Sequence, residues 1–407
     1  MTTPFALYLH IPFCAVRCHY CDFNTYAGLD GLFERYAAAL SQEIRAAGAA
    51  RGRPTARTIF IGGGTPTVLP SDLLAQILAA CRDAFDIAPD AEITSEANPG
   101  TVDQARFSVL RAMGVNRLSM GVQSFDDEEL RWLGRIHSAA EAETAFTAAR
   151  AAGFTNINLD FIFGLPDQRP ETWARTLRHA IELGPEHLSL YSLIVEHSTP
   201  LADQVRRGLI SEPDDDLAAD MYSAASESLA AAGYAQYEIS NWAKDESVNQ
   251  RISESTNLWE APIRHSPFAI RYSCQHNLVY WRREPYLGFG AGAHSFEPER
   301  RWWHVRPVPE YIRRVEAGVS PEAGSETIDR QTALGEAMML ALRLTEEGMP
   351  TARFAAQFGE SLEGVFGHQI ARLANQGLLE RLPDRVRLTA EGRLLGNQVF
   401  AEFLPET

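Results

Sequence analysis

Short runs rich in β-formers recur through the first 240 residues, and the stretches between them carry helical spacing. The runs are FALYLHI (5–11), RTIFIG (57–62), AEITSEA (91–97), NRLSMGV (116–122), NINLDFIFG (156–164), HLSLYSLI (187–194) and AQYEIS (235–240). LFERYAAALSQEIRAAG (32–48) and AAEAETAFTAARAAG (139–153) are two of the alanine-rich spacers. Parallel neighbours need a long crossover, usually a helix, so this alternation predicts an α/β fold with helices over a parallel sheet. Six or seven such units predict a full or partial (β/α) barrel, with an open doubly wound sheet as the alternative. In either geometry function gathers where the strands end. Cys14, Gly62 to Gly64, Glu96, Gln123 and Asp160 all fall at such ends.

From about residue 244 the pattern fails. KDESVNQRISESTNLWEAPIRHSPFAIRYS (244–273) has no clear period, and RRWWHVRPVPEYIRRVE (300–316) follows soon after. Residues 327–407 read as two or three helices and then GLLERLPDRVRLTAEG (377–392), a strand, a turn at Pro383-Asp384 and a second strand. The expected organisation is a partial barrel over 1–243, an irregular segment over 244–326 and a smaller α+β, winged-helix-like domain over 327–407. RLANQGLLER carries too little positive charge for a recognition helix, so a packing or partner-contact module fits better than DNA binding. The formal net charge of -16 also argues against a general nucleic-acid binder. MTTPFALYLHIPF lacks the basic start and apolar core of a signal peptide, and no apolar run approaches the roughly 18 residues of a membrane span. With three of five cysteines clustered, a disulfide framework is not the expectation; a cytoplasmic protein is.

The cluster is CAVRCHYC (14–21). Thiolates bind zinc and iron-sulfur clusters. A structural zinc site closes with four ligands, and His10 or His19 would have to supply the fourth. Three buried thiols on one helical face are the plain alternative, since offsets of four and seven share a face. An iron-sulfur cluster fits best. Three thiolates on a four-iron cubane leave one iron open to a small molecule.

CAVRCHYC also resembles the CxxxCxxC signature of the radical S-adenosylmethionine (SAM) proteins. The resemblance implies a [4Fe-4S] cluster held by Cys14, Cys18 and Cys21, whose open iron chelates the amino and carboxylate groups of SAM. GGGTP (62–66) resembles that family's glycine-rich strand end, which lines the methionine portion of SAM. Tyr8, six residues before Cys14, is followed in order by EANPGT (96–101), GVQSFDDEEL (121–130), LGRIHS (133–138) and DFIFGLP (160–166). This series is similar to the coproporphyrinogen III dehydrogenase-like branch, over roughly residues 5 to 300. Carried over by position, Tyr8, Tyr20, Gly63, Gly64, Thr65, Glu96, Gln123, Arg135 and Asp160 would contact SAM. The chemistry is apt: Glu96 accepts from hydroxyls or an amine, Arg135 pairs with a carboxylate, and Gln123 both donates and accepts.

Two features divide the branch. The oxygen-independent dehydrogenase carries a further cysteine two residues after the third, and a longer N-terminal extension. Here Phe23 holds that position and thirteen residues precede Cys14. HNLVYW (276–281) resembles the HNxxYW motif of the HemW type, which is understood as a haem chaperone. The resemblance implies His276 as haem ligand, with Tyr280 and Trp281 against the macrocycle and Arg282 or Arg283 on the propionates. Cys274 is a lesser candidate, and His294 a further one. About thirty residues separate EISNWA (238–243) from the motif, where a short path is expected. Within them His265 and Tyr272 are the other ligand candidates. The implied partners are haem and acceptor haemoproteins, membrane-associated ones included, with a homodimer as the candidate assembly. The competing reading is a coproporphyrinogen III dehydrogenase that uses a SAM-derived radical.

Overall fold

The runs of β-formers become strands β1 (Phe5–Ile11), β2 (Thr55–Gly63), β3 (Asp86–Ala97), β4 (Arg117–Gln123), β5 (Ile157–Phe163) and β6 (His187–Ser192) in a computed structural model of the chain. The structure describes residues 4–245 and 270–405. Successive strands from β1 to β6 pair in parallel. Helices Phe33–Ala50 and Ser71–Ala84 cross between them and bury one stripe each, Tyr36, Ala37, Leu40 and Ile44 on the first and Leu74, Ile77, Leu78 and Cys81 on the second. At roughly 1.5–3 kcal/mol for each large apolar side chain, this layer is the main force closing the sheet.

The chain divides into two compact units, Met1–Ala225 with Pro285–Glu326, and Ser226–Glu284 with Thr327–Thr407. Within the first unit the sheet order is β12-β11-β10-β9-β1-β2-β3-β4-β5-β6, where β9 is Tyr286–Phe289, β10 is His294–Glu297, β11 is Arg300–His304 and β12 is Glu322–Thr327. β9 pairs in parallel with β1 and extends the open parallel sheet, while β10 and β11 run antiparallel. This seventh parallel strand comes from the stretch that looked irregular in sequence. It is only four residues long and opens YLGFGAGA, too short and glycine-rich to show a period. The run at 235–240 does not continue the parallel series. It forms β7 (Tyr234–Glu238), which turns directly into the antiparallel β8 (Asn241–Lys244).

The second unit adds helix Gln275–Trp281, then helices Arg330–Ala341, Thr351–Phe358 and Leu362–Asn375 and a small antiparallel sheet of Met349–Pro350, Arg385–Leu388 and Leu379–Arg381. Its core joins Met338, Leu342, Phe354, Phe366, Ile370, Leu388 and Phe400. This is the helix-and-wing arrangement expected for the C-terminal part. Among the described residues no helix is long and apolar enough to cross a membrane.

Candidate metal and cofactor site

β1 ends at Ile11, and the chain then runs through a loop tied back on itself. Phe13 bridges Tyr26, the Cys14 N–H donates to the Tyr26 carbonyl (3.0 Å), and the Tyr26 N–H donates to the Pro12 carbonyl (2.7 Å). Cys14, Cys18 and Cys21 are free, half-buried thiols on this loop. The loop is not helical, so the reading of three thiols on one helical face does not hold. Thr65 Oγ1 donates to Cys14 Sγ at 3.6 Å, Arg135 Nη1 donates to Cys18 Sγ at 3.6 Å, and Thr25 Oγ1 lies 3.9 Å from Cys21 Sγ. Burial pushes the Cys14 and Cys21 thiols up, and the hydroxyl contacts oppose it. Neighbouring thiolates add to the upward push, so three sulfurs packed this way favour a positive centre that would share their charge.

His10 is not a spare ligand. Its Nε2 donates to the Asn24 carbonyl (3.0 Å), which leaves Nδ1 to accept from the Tyr8 hydroxyl (2.9 Å). Burial holds the ring neutral, pushed down to about 4. His19 packs edge-on against Trp132 and Tyr20. Among the described residues no group of three or more His, Cys, Asp or Glu side chains is arranged to hold a single metal ion.

Beside the loop lies one face of the parallel sheet. Positions Tyr8, Phe60, Glu96, Gly121, Gln123 and Asp160 are part-exposed among otherwise buried strand residues. The registers Tyr8↔Phe60 and Gly121↔Asp160 put paired residues side by side on that face. Glycine keeps it open. Gly63 has φ +108, and a Cβ there would lie 2.4 Å from the His10 ring. A Cβ on Gly64 would lie 2.6 Å from the Phe13 carbonyl oxygen, where the Gly64 N–H donates to Ile11 (2.8 Å) and the Thr65 N–H to Phe13 (2.8 Å). The Gly63 N–H in turn donates to Glu96 Oε2 at 2.9 Å.

Glu96 and Asp160 are the acids of this face. Burial, and then the charge of Asp160, raise the Glu96 carboxyl from 4.5 to about 8. Asp160 is also raised by burial, against donors from Ser119 (3.0 Å) and Asn158 (2.7 Å) and the nearby charge of Arg117. Arg135 donates through Nη2 to the Gly121 carbonyl (2.8 Å), while its buried Nε has no partner among the described residues. Gln123 stands at the β4 end with φ 72, a strained conformation for a non-glycine residue. Tyr20 packs into the apolar cluster of Leu133, Ile162, Leu165, Leu193 and Leu201, which raises its hydroxyl pKa by burial. The structure thus gathers the expected residues around one loop and one sheet face. The donor set fits an iron-sulfur cluster with an amino-acid-bearing nucleoside: three thiols, an orphaned guanidinium N–H, a carboxyl with surplus acceptor capacity and a glycine cradle.

Sequence reasoning missed the bracing. Asn24 donates to the carbonyls of Ala291 (3.0 Å) and Arg306 (3.0 Å), and Tyr26 donates to Asn24 Oδ1 (3.0 Å), so the cysteine loop is pinned to a segment over 260 residues later. That segment is held by the buried Glu43, which accepts from the Gly290 N–H (3.0 Å) and the Tyr311 hydroxyl (2.5 Å). Ser119 and Asn158 were legible in principle, as polar residues on the same strand period as Gly121 and Asp160.

The HNLVYW stretch is helix Gln275–Trp281 of the second unit. His276 is buried there, its Nε2 2.8 Å from the Tyr280 hydroxyl. Arg343 lies over the Trp281 ring at 4.4 Å. The arginines expected to meet propionates are occupied: Arg282 pairs with Glu347 (2.7 Å), and the buried Arg283 pairs with Glu336 (3.2 Å). Their carboxylate partners lie in the C-terminal part of the chain, which the local motif does not display. Cys274 is fully buried, and its N–H donates to the Tyr237 hydroxyl (3.1 Å). Tyr272 has the Arg271 guanidinium over its ring, and His265 lies outside the described residues, as does most of the expected insertion.

Residues 8–180 match the radical SAM superfamily, and residues 328–395 match the HemN C-terminal domain. The chain is 39% identical over 404 residues to the heme chaperone HemW of Mycobacterium tuberculosis, covering 98% of this chain and 95% of that protein. It is 38% identical to the heme chaperone HemW of Bacillus subtilis (98% and 99% covered) and 38% identical to that of Escherichia coli (99% of each). Among solved structures it is similar to coproporphyrinogen III oxidase (HemN) from Escherichia coli, described as a radical SAM enzyme, with TM-score 0.80, 26% identity and coverage of 98% and 90%. Radical SAM membership implies a [4Fe-4S] cluster and SAM. With its parallel sheet, its cysteine loop and relatives matched from end to end, the chain belongs to the HemW family of the radical SAM superfamily.

Proposed function

We propose that the chain is a haem chaperone, which carries a [4Fe-4S] cluster and SAM and delivers haem to acceptor haemoproteins in the cytoplasm or at its membrane. The observation that carries the reading is the end-to-end likeness to heme chaperones, joined to a cysteine loop with three thiols and the exposed Phe23 in place of a fourth. Cys14, Cys18 and Cys21 hold the cluster, each sulfur already facing a polar donor or hydroxyl. When bound, the cluster supplies redox chemistry and an open iron for SAM. Glu96 accepts from SAM hydroxyls or its amine, and the ligand's positive charge draws this raised carboxyl towards its ionised form. Arg135 holds Cys18 and the Gly121 carbonyl together and keeps one N–H for a carboxylate. Gly63, Gly64 and Thr65 line the methionine portion, and Tyr8, Tyr20, Gln123 and Asp160 complete the contacts. His276 is the proposed imidazole ligand of haem, and ligation through Nε2 exchanges its hydrogen bond to Tyr280.

A second reading, coproporphyrinogen III dehydrogenase, is favoured by the structural likeness to the HemN enzyme. One preparation separates the two. Anaerobic reconstitution is expected to give about four irons per chain, lost on replacing Cys14, Cys18 and Cys21 by Ala. Hemin is then expected to give a Soret band, and coproporphyrinogen III to remain unconverted with SAM and reductant. Stoichiometric zinc without iron would refute the cluster, and SAM-dependent decarboxylation would replace the chaperone with the enzyme.

A further inference from the structure

β10 and β11 place a second histidine where the first unit opens to solvent. Tyr8 pairs with Gly288, whose backbone approaches His294 so closely that a Cβ would lie 2.0 Å from the His294 carbonyl oxygen. His294 pairs with Trp303. Residues paired in register share a sheet face, so His294 and Trp303 stand side by side on the β10–β11 hairpin, next to the strand that pairs with Tyr8.

His294 is exposed, its imidazole has no hydrogen-bond partner among the described residues, and its ring stacks on Trp303 with centroids 5.9 Å apart at 26°. His276, by contrast, is buried and engaged by Tyr280. A Cβ on Gly324 would lie 2.7 Å from the Trp303 ring, so the indole is seated on β12 rather than free to swing. The neighbouring cations divide into two sets. Arg300 and Arg301 are held by Glu322 (2.6 Å) and Glu326 (3.1 Å). Arg306 is exposed and its guanidinium has no hydrogen-bond or carboxylate partner among the described residues, yet its charge reaches both His10 and His294. Partial burial first, then the charges of Arg301, His304 and Arg306, keep the His294 imidazole neutral, the form that ligates iron.

We infer that His294, Trp303 and Arg306 form a haem-docking subsite on the first unit, with imidazole on the iron, the stacked indole fixing the orientation of that imidazole, and guanidinium on a propionate. This inference rests on the haem reading above but not on His276. The test is a titration of the full-length, cluster-loaded chain with hemin and with its propionate dimethyl ester, followed in the Soret region. His294→Ala is expected to shift the Soret maximum and weaken hemin binding at least tenfold, with iron-sulfur content unchanged. Arg306→Gln is expected to weaken hemin binding three- to tenfold and leave the dimethyl ester unaffected, which a folding defect would not do. A His294→Ala chain with the wild-type Soret maximum and affinity overturns the subsite, and does so alone if the wild type binds hemin. Loss of binding in His276→Ala while His294→Ala and Arg306→Gln stay normal also overturns it. A wild type with no Soret band overturns the subsite and the haem reading together.

Discussion

Replacing Glu96 by Gln removes one titration and leaves the shape almost unchanged. The amide oxygen can still accept from the Gly63 N–H, which now lies 2.9 Å from Oε2. The wild-type carboxyl is raised from 4.5 to about 8 by burial and by Asp160. Between those values the folded chain keeps a proton that the unfolded chain has released. The stability this proton brings is fully present below about pH 4.5 and is lost as the pH rises through 8. The slope is about 1.4 kcal/mol per pH unit inside the window. Between pH 5.5 and 7.5 wild type should therefore lose roughly 2.5 kcal/mol that Glu96→Gln does not. Asp160, also raised, is present in both proteins and cancels in the comparison. The assay is urea unfolding of the ligand-free chain at the two pH values, followed by tryptophan fluorescence. The variant should gain on wild type by about that amount at the higher pH. A stability difference that is the same at both pH values would refute the account of Glu96 as a protonated, desolvated carboxyl.

Three further outcomes follow from the geometry. Gly63→Ala places a Cβ 2.4 Å from the His10 ring at φ +108, so it should lower the melting temperature by several degrees, about 1–2 kcal/mol from the backbone alone. Arg283→Met removes the ion pair to the buried Glu336 and should cost about 3–5 kcal/mol by urea unfolding, largely recovered in a double variant with Glu336→Leu. Arg135→Ala should keep its iron but lose most of the SAM-induced change in the EPR spectrum of the reduced cluster; an unchanged response would remove Arg135 from the SAM site.

What could be read from the chain depended on how local the signal was. The strands β1 to β6 carry their own β-branched and aromatic runs, so they were visible within a few residues. The cysteine loop was visible because its three cysteines lie within eight residues of one another. β9 was not, because YLGFGAGA has no period and its place in the sheet is set by pairing with β1 about 280 residues earlier. Arg282 and Arg283 misled for the same reason. Their charge suggested propionates, but Glu347 and Glu336 come from distant sequence and hold them. Asn24 was overlooked because an asparagine in a loop announces nothing until Ala291 and Arg306 meet it.

The most direct test of the chaperone account is haem transfer. The reconstituted chain is loaded with one equivalent of hemin, freed of excess, and mixed under SAM with an apo-haemoprotein whose holo form has a distinct Soret maximum. The account predicts that the chain's Soret band decays as the acceptor's appears, faster than acceptor gains haem from buffer. Haem retained indefinitely by the chain, or acceptor filling no faster than from free hemin, would contradict it.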